Sequence, residues 1–244
     1  MRKTWSGFDV LLLFAVWFAS MVVCVSGMYA VAGIDIAEQS QNAAETTEHP
    51  LAQLIEKNKS SVLFIVVGLL SGVILAPLTE EFLFRLVLQD YLERKFARLP
   101  NAGLVGAAFV FALLHGAKRG DLDENILFFS LLGAGLANLI TILAGIYYLY
   151  AVRKIPIGQY FFQNNWNRRK TGMFAGIFLI TIPTVMGLNA VLQLLYPNAV
   201  VDPVPLFFFA VVLGWVFQQT RQLVVCVAMH AALNAISFAL ILFS

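Results

Sequence analysis

Charged residues are scarce in this chain. Of its 244 residues only 12% are Asp, Glu, Lys or Arg and 60% are hydrophobic, with a mean hydropathy of +0.81. Soluble domains carry about 25% charged residues. The composition therefore excludes an ordinary soluble protein and predicts an integral membrane protein. A formal net charge of +2, with no basic stripe and no glycine-rich phosphate loop, gives no support for nucleic-acid binding.

Cysteine and the common catalytic motifs are also rare or missing. Cys24 and Cys226 lie far apart in apolar runs and form no CxxC pattern, so each is expected to be a small core residue rather than part of a disulfide framework. No serine or cysteine stands in a GxSxG elbow, and no HExxH motif occurs. A covalent nucleophile is therefore not indicated. No internal repeat is found.

Long apolar segments are abundant, and seven are long enough to span a bilayer. They cover residues 8–33, 61–90, 100–117, 126–151, 172–196, 204–219 and 222–243. We predict an all-α polytopic membrane helix bundle of about seven transmembrane helices, forming a single membrane domain. The first segment exceeds the core of a signal peptide and is expected to be a retained span. Pro77 is expected to kink the second, and Thr79 to cap the restarted helix.

The loops alternate in charge. Basic residues precede the first segment and follow the second, fourth and sixth, whereas the connection 34–60 is polar and mainly acidic. The positive-inside rule then places the N-terminus inside and the C-terminus outside, which suits an odd number of spans. We expect a multi-pass protein of the cell membrane, with 34–60 as an exterior loop.

Three charged residues lie inside the second apolar segment. One charge near the bilayer centre costs about 2.5–3.5 kcal/mol, so Glu80, Glu81 and Arg85 are expected to face protein or enclosed water. Glu81 and Arg85 are four residues apart with the acid first, which favours an ion pair. Glu80 lies about 100° further round the helix. The pattern predicts one working carboxylate beside one structural carboxylate.

Two histidines and an asparagine also lie inside apolar segments. At about 1.5 Å per residue, Glu80, His115, His230 and Asn234 lie roughly 18, 22, 14 and 20 Å from the inner boundary. All four depths fall in the central layer of a hydrocarbon core about 30 Å thick. Singly, each could be a helix–helix hydrogen bonder; together they predict a shared site. The remaining residues are interpreted as structural: Phe111, Asn138, Asn189, Gln218 and Gln219.

The chemistry of these groups points to hydrolysis. A carboxylate in a desolvated membrane cavity suits a general base near neutrality, and a histidine can share its proton or orient the water. A second histidine and an asparagine amide are neutral donors of the kind that hold an oxyanion. Water attacking an amide bond inside the bilayer is the natural interpretation. The expected partners are a membrane-associated peptide or protein substrate and the lipid bilayer.

Three motifs resemble the signatures of the CAAX protease and bacteriocin-processing family, which includes type II CAAX prenyl endopeptidases and abortive-infection proteins. The motifs, which agree in order, spacing and membrane context, are Glu80-Glu81-x-x-x-Arg85, Phe111-x-x-x-His115 and His230-x-x-x-Asn234. Residues 213–217 also resemble the segment before the last motif. The family-like core covers about 61–119 and 204–238. The helices of about 126–203 then form an insertion.

The resemblance implies an intramembrane endopeptidase in which Glu80 activates water together with His115. It also implies that His230 and Asn234 form the oxyanion hole. The substrate is left open between a prenylated CAAX protein, a leader sequence and another membrane protein.

The resemblance implies supporting roles for Glu81 and Arg85. We favour a reaction without a metal cofactor; if zinc is used, its ligands would be Glu80, His115 and His230.

Two other functions are compatible with intramembrane polar residues. One is a non-enzymatic membrane scaffold or bacteriocin-immunity protein that keeps the fold. The other is a proton-coupled transporter, since intramembrane Glu and His also form proton relays. A transporter would favour inverted repeats, which the sequence does not show.

Overall fold

The computed structural model describes residues 5–34, 45–46, 55, 61–116, 119–120, 124–154, 168–197 and 199–243. Nearly all of these residues are helical. Two two-residue strands, β1 (Glu45–Thr46) and β2 (Arg119–Gly120), pair antiparallel. The predicted exterior loop, 34–60, lies outside the described residues except for residue 34, β1 and residue 55.

The described part of the chain contains seven principal helices, so the predicted all-α polytopic fold is confirmed. They are α1 (Gly7–Ala32), α2 (Val62–Lys95), α3 (Ala102–Leu114), α4 (Glu124–Tyr147), α5 (Arg168–Leu195), α6 (Pro203–Thr220) and α7 (Leu223–Phe243). Two π-helical stretches, Leu69–Leu75 and Phe82–Gln89, lie within α2, and a third, Tyr148–Val152, continues α4.

Six of these helices, all except α3, are long and apolar enough to cross a membrane. The 13 residues of α3 extend about 20 Å, less than the hydrocarbon core of about 30 Å. The third predicted span, 100–117, is therefore shorter than expected, because the helix ends at Leu114. The chain is a multi-pass membrane protein. An odd number of spans supported the predicted orientation, with the N-terminus inside and the C-terminus outside. Six long helices do not give that support, and the orientation stays a prediction.

Many large apolar side chains are exposed on the helices, as a lipid environment allows. Examples from three helices are Phe18, Leu179 and Leu240. Soluble proteins rarely expose apolar surface to this extent. The exposed faces therefore agree with the membrane assignment.

The chain groups into two compact units, each built from three segments and described separately below. The first unit contains Met1–Val10, Glu80–Ala117 and Tyr148–His230, and the second contains Leu11–Thr79, Lys118–Tyr147 and Ala231–Ser244. The single domain predicted for 1–244, with its family-like core and its insertion, stays a prediction.

In the first unit, α3 packs against the C-terminal part of α2 and against α6. Two glycines allow this close approach. A Cβ atom at Gly103 would lie 2.8 Å from Cα of Glu93, and one at Gly214 would lie 3.0 Å from Cγ of Leu104. A side chain at Gly103 would collide with the backbone of α2, and one at Gly214 would displace neighbouring side chains; small residues typically provide such close contacts in membrane helices.

Polar contacts connect the end of α2 to the turn between α6 and α7. The Glu93 carboxylate accepts hydrogen bonds from Gln89 at 2.7 Å, Gln218 at 3.0 Å and Arg221 at 2.9 Å. Arg221 has a left-handed backbone with φ of 52°. The network holds the turn that precedes α7, and the structural role predicted for Gln218 is confirmed.

In the second unit, α4 approaches α1 closely. A Cβ atom at Gly133 would lie 2.8 Å from Cα of Val25. Trp17 donates a hydrogen bond of 3.3 Å to the side-chain oxygen of Asn138. Asn138 is therefore the helix–helix contact that the sequence predicts.

Pro77 does not interrupt α2. The π-helical stretch Leu69–Leu75 lies just before Pro77, and the helix continues through the proline from Ala76 to Glu81. Thr79 accordingly lies inside the helix, and its hydroxyl donates to the carbonyl oxygens of Leu75 at 2.9 Å and Asn138 at 3.3 Å. The predicted helix restart capped by Thr79 is wrong, because a wider helical turn accommodates the proline without a break.

Candidate active site

A buried ion pair lies in the C-terminal half of α2. Nε of Arg85 donates to Oε2 of Glu81 at 2.9 Å, and both side chains have zero exposure. The predicted ion pair is thus present. The η nitrogens of Arg85 have no hydrogen-bond partner among the described residues, and its Cζ atom lies 5.7 Å from the ring centroid of Phe111.

His230 lies between the two adjacent carboxylates of α2. Its Nδ1 atom is 2.9 Å from Oε1 of Glu81, and its Nε2 atom is 3.7 Å from Oε2 of Glu80. Glu81 also accepts from Arg85, so its carboxylate is the acceptor and Nδ1 of His230 is the donor. The contacts form a continuous series from Arg85 through Glu81 and His230 to Glu80.

Glu80 and Glu81 differ in exposure although they are neighbours in sequence. The Glu81 side chain is completely buried, whereas the Glu80 side chain is 18% exposed. Glu81 is therefore bound by both Arg85 and His230, whereas Glu80 faces His230 from a partly exposed position. This division agrees with the predicted structural and working carboxylates, while the catalytic roles themselves stay predictions.

His115 lies directly after the last residue of α3 rather than within the helix. Its Nδ1 atom is 2.8 Å from the carbonyl oxygen of Phe111, one turn earlier, and the two rings are 4.5 Å apart. Because a carbonyl oxygen can only accept, Nδ1 carries a proton and is the donor. In the neutral form of the ring, the lone pair is then on Nε2.

Phe111 contacts both histidines of the site. Its buried ring lies 5.8 Å from the ring of His230 in an edge-on arrangement, and Phe84 packs edge-on against it at 5.2 Å. Phe209 covers another side of His230 at 5.5 Å. These contacts agree with the interpretation of Phe111 as a packing residue, and they show that its ring packs against both histidines, which the sequence did not predict.

Asn234 belongs to the second unit, four residues after His230 along α7. Its side-chain nitrogen donates a hydrogen bond of 2.8 Å to the carbonyl oxygen of Gly72. This hydrogen bond fixes the orientation of the amide. The predicted role of Asn234 in an oxyanion hole stays a prediction.

The two cysteines agree with their predicted role as small core residues. Cys24 and Cys226 are both buried and unpaired by disulfide. The thiol of Cys226 donates to the carbonyl oxygen of Leu213 at 3.5 Å. It therefore takes part in packing between α6 and α7.

The alternative zinc site would use Glu80, His115 and His230. The structure brings Glu80 and His230 together, but no group of three or more His, Cys, Asp or Glu side chains in the described residues is arranged to hold a metal. Nδ1 of His230 is occupied by Glu81. The absence of a metal cofactor stays a prediction.

Comparison with known proteins identifies one family. The family described as "Rce1-like: Type II CAAX prenyl endopeptidase Rce1-like" matches residues 62–156 and 157–236, well over half of the chain. The matched blocks include α4 and α5, which lie in the region predicted as an insertion. No curated protein and no solved structure matches the chain.

Proposed function

Because the chain belongs to the type II CAAX prenyl endopeptidase Rce1-like family, a family of membrane proteases, we propose that it is an intramembrane endopeptidase in which Glu80 activates the attacking water. The observation that carries this proposal is the unequal placement of the two acids. Glu81 is fully buried against Arg85, whereas Glu80 is partly exposed and faces Nε2 of His230 at 3.7 Å. A general base must be accessible to water and close to a proton partner, which favours Glu80.

The proposed reaction begins with the attack of water on the carbonyl carbon of the scissile peptide bond. Glu80 accepts the proton that the water loses, and the carbonyl oxygen becomes an oxyanion. When the C–N bond breaks, the proton held by Glu80 passes to the leaving nitrogen. No covalent bond to the protein forms, which agrees with the absence of an elbow motif.

His230 is the proposed proton partner of Glu80. Its Nδ1–H group is donated to Glu81, so the neutral ring has its lone pair at Nε2, on the side of Glu80. The ring can therefore take over at Nε2 the proton that Glu80 accepts from water, while Glu81 stabilises the resulting charge as in hydrolase triads. The proton returns to Glu80 before it passes to the leaving nitrogen. Once protonated, His230 can also donate a hydrogen bond from Nε2 to the oxyanion. The neutral ring cannot, because its one N–H group, at Nδ1, is bonded to Glu81.

His115 is proposed to orient the water, the role that the resemblance implies. Its hydrogen bond to the Phe111 carbonyl oxygen supports this role, because it leaves the lone pair of the neutral ring on Nε2. Asn234 is proposed as the second oxyanion donor. Removal of one such donor typically lowers kcat by about 10²–10³-fold.

The proposed substrate is a membrane-associated protein or peptide. The family name favours a prenylated protein with a C-terminal CAAX sequence, and a farnesylated fluorogenic CAAX peptide is the probe that tests this choice. The proposed mechanism uses no metal. Metal analysis of the purified protein, with activity measured before and after chelation, tests that part separately.

The decisive experiment compares wild type with Glu80→Gln. Wild type is expected to cleave the farnesylated peptide, and the variant to lose at least about 10³-fold in kcat, while both unfold at similar denaturant concentrations, because the Glu80 side chain lies outside the buried ion pair. Membrane-protein termini in cells carrying wild type or Glu80→Gln would reveal other substrates. Identical termini and equal rates would instead favour the non-enzymatic scaffold or immunity protein.

A further inference from the structure

The hydrogen bond between Asn234 and Gly72 has a specific cause in the sequence of α2. In the π-helical stretch Leu69–Leu75, each N–H group bonds to the carbonyl five residues earlier, and the final bond runs from Ala76 N–H to the carbonyl oxygen of Ser71. The next carbonyl in this register is that of Gly72. Its donor would be the N–H group of residue 77.

Residue 77 is a proline, which has no N–H group. The helix continues in the α-helical register from Ala76 to Glu81, so the register changes at the proline. The Gly72 carbonyl is therefore left without its helical donor. An unpaired backbone carbonyl is costly inside a membrane protein, where no bulk water replaces the lost partner.

The Asn234 side chain supplies the missing donor. Its Nδ2 atom lies 2.8 Å from the carbonyl oxygen of Gly72. Asn234, Gly72 and Pro77 all belong to the second unit. A carboxamide nitrogen has two N–H groups. The hydrogen bond to Gly72 uses one of them and fixes the direction of the other.

We propose that Pro77 is a positioning residue for Asn234. Because proline has no N–H group, the Gly72 carbonyl oxygen remains available to accept from the Asn234 amide and so orients it for the reaction. This inference rests on the proposed function, in which Asn234 donates its second N–H group to the oxyanion. Such a donor must be held in place before the reaction if it is to stabilise the transition state. Pro77 itself does not touch the substrate.

The test is a double-mutant cycle on the purified protein with the farnesylated CAAX peptide. Pro77→Ala provides an N–H group that can bond within the helix and compete with Asn234. We expect kcat to fall roughly 10–100-fold with KM changed less than about twofold, since a small misplacement of a catalytic group is costly. In an Asn234→Ala background, Pro77→Ala should cause no further loss, because its effect acts through the asparagine.

The chain offers a matched control. Pro183 also lies inside a long helix, α5, but it is exposed and lies outside the proposed site. Pro183→Ala should leave the rate unchanged. Equal losses from Pro77→Ala in the wild-type and Asn234→Ala backgrounds would overturn the proposal, because Pro77 would then act through another group such as Glu80. An unchanged kcat in Pro77→Ala would overturn it as well.

A spectroscopic readout separates this inference from the proposed function. With ¹⁵N-labelled asparagine, the side-chain resonance of Asn234 is identified by its loss in Asn234→Ala. It should shift in Pro77→Ala and stay in place in Pro183→Ala. An unshifted resonance overturns the positioning role whatever the rates are. Full activity of Glu80→Gln would overturn the proposed catalytic mechanism, while the resonance would still report whether Pro77 orients the amide.

Discussion

Nδ1 of His230 lies 2.9 Å from Oε1 of Glu81, and the opposite oxygen of the same carboxylate accepts from Arg85. One buried anion thus selects the tautomer of the histidine and compensates a buried guanidinium. The carboxylate therefore connects the packing of α2 and α7 to the proposed chemistry at Glu80.

Glu81→Gln tests the selection of the tautomer. The amide keeps the shape of the side chain but replaces one carboxylate oxygen by an NH₂ group. Because His230 and Arg85 approach different oxygens of Glu81, one of the two donors then meets a donor instead of an acceptor. We expect kcat on the farnesylated peptide to fall roughly 10²–10⁴-fold, as when the orienting carboxylate of a hydrolase triad is replaced by an amide. Glu81→Asp, which keeps the charge, should lose less. Wild-type activity in Glu81→Gln would contradict the role of His230.

Arg85→Met tests the charge balance of the ion pair. Removal of the guanidinium leaves the Glu81 carboxylate buried with only His230 as a partner, and breaking a buried pair typically costs about 3–5 kcal/mol of unfolding free energy. Arg85→Met combined with Glu81→Gln should recover part of that loss, because the uncompensated charge is gone. Unfolding by SDS in bicelles measures both effects. Additive losses in the double variant would argue against direct coupling.

Phe111→Leu tests the contact between the aromatic ring and the two histidines. The variant keeps the backbone carbonyl that accepts from His115 but removes the ring that packs against both imidazoles. We expect about 1–3 kcal/mol of destabilisation and a roughly tenfold lower kcat. Phe109→Leu is the matched control, since Phe109 is 55% exposed on the same helix. Equal effects in the two variants would contradict a positioning role for Phe111.

The sequence was sufficient for the features that depend on local spacing and composition. The long apolar segments predicted the helices, and the four-residue spacing of Glu81 and Arg85 predicted their ion pair, because both properties arise within one helix. The different environments of Glu80 and Glu81 also followed from their angular separation. These inferences needed no knowledge of which helices pack together.

Features that depend on packing between helices could not be predicted in the same way. The depth estimate placed His115 inside a spanning helix, whereas α3 ends at Leu114. The tautomer of His230 depends on Glu81, 149 residues away in sequence. The continuation of α2 past Pro77 depends on a π-helical register, which a helix-breaker rule for proline does not anticipate.

Glu93→Ala tests whether the network at the end of α2 supports the site from a distance. Glu93 accepts hydrogen bonds from Gln89, Gln218 and Arg221, and Arg221 precedes the helix that carries His230. Loss of the carboxylate removes all three of these hydrogen bonds, although Gln89 keeps the Gly214 carbonyl oxygen and Arg221 keeps Asp90 as acceptors. We expect about 2–4 kcal/mol of destabilisation.

The kcat of Glu93→Ala should also fall several-fold with little change in KM, because the turn that positions α7 is released while the residues proposed to act on the substrate remain. Arg98→Ala, at an exposed position between α2 and α3, should leave the unfolding free energy within about 0.5 kcal/mol of wild type and the rate unchanged. SDS unfolding and the peptide assay on the same preparations provide both measurements. Wild-type stability in Glu93→Ala would show that the three hydrogen bonds do not hold the turn, and α7 would then be positioned by its apolar packing alone.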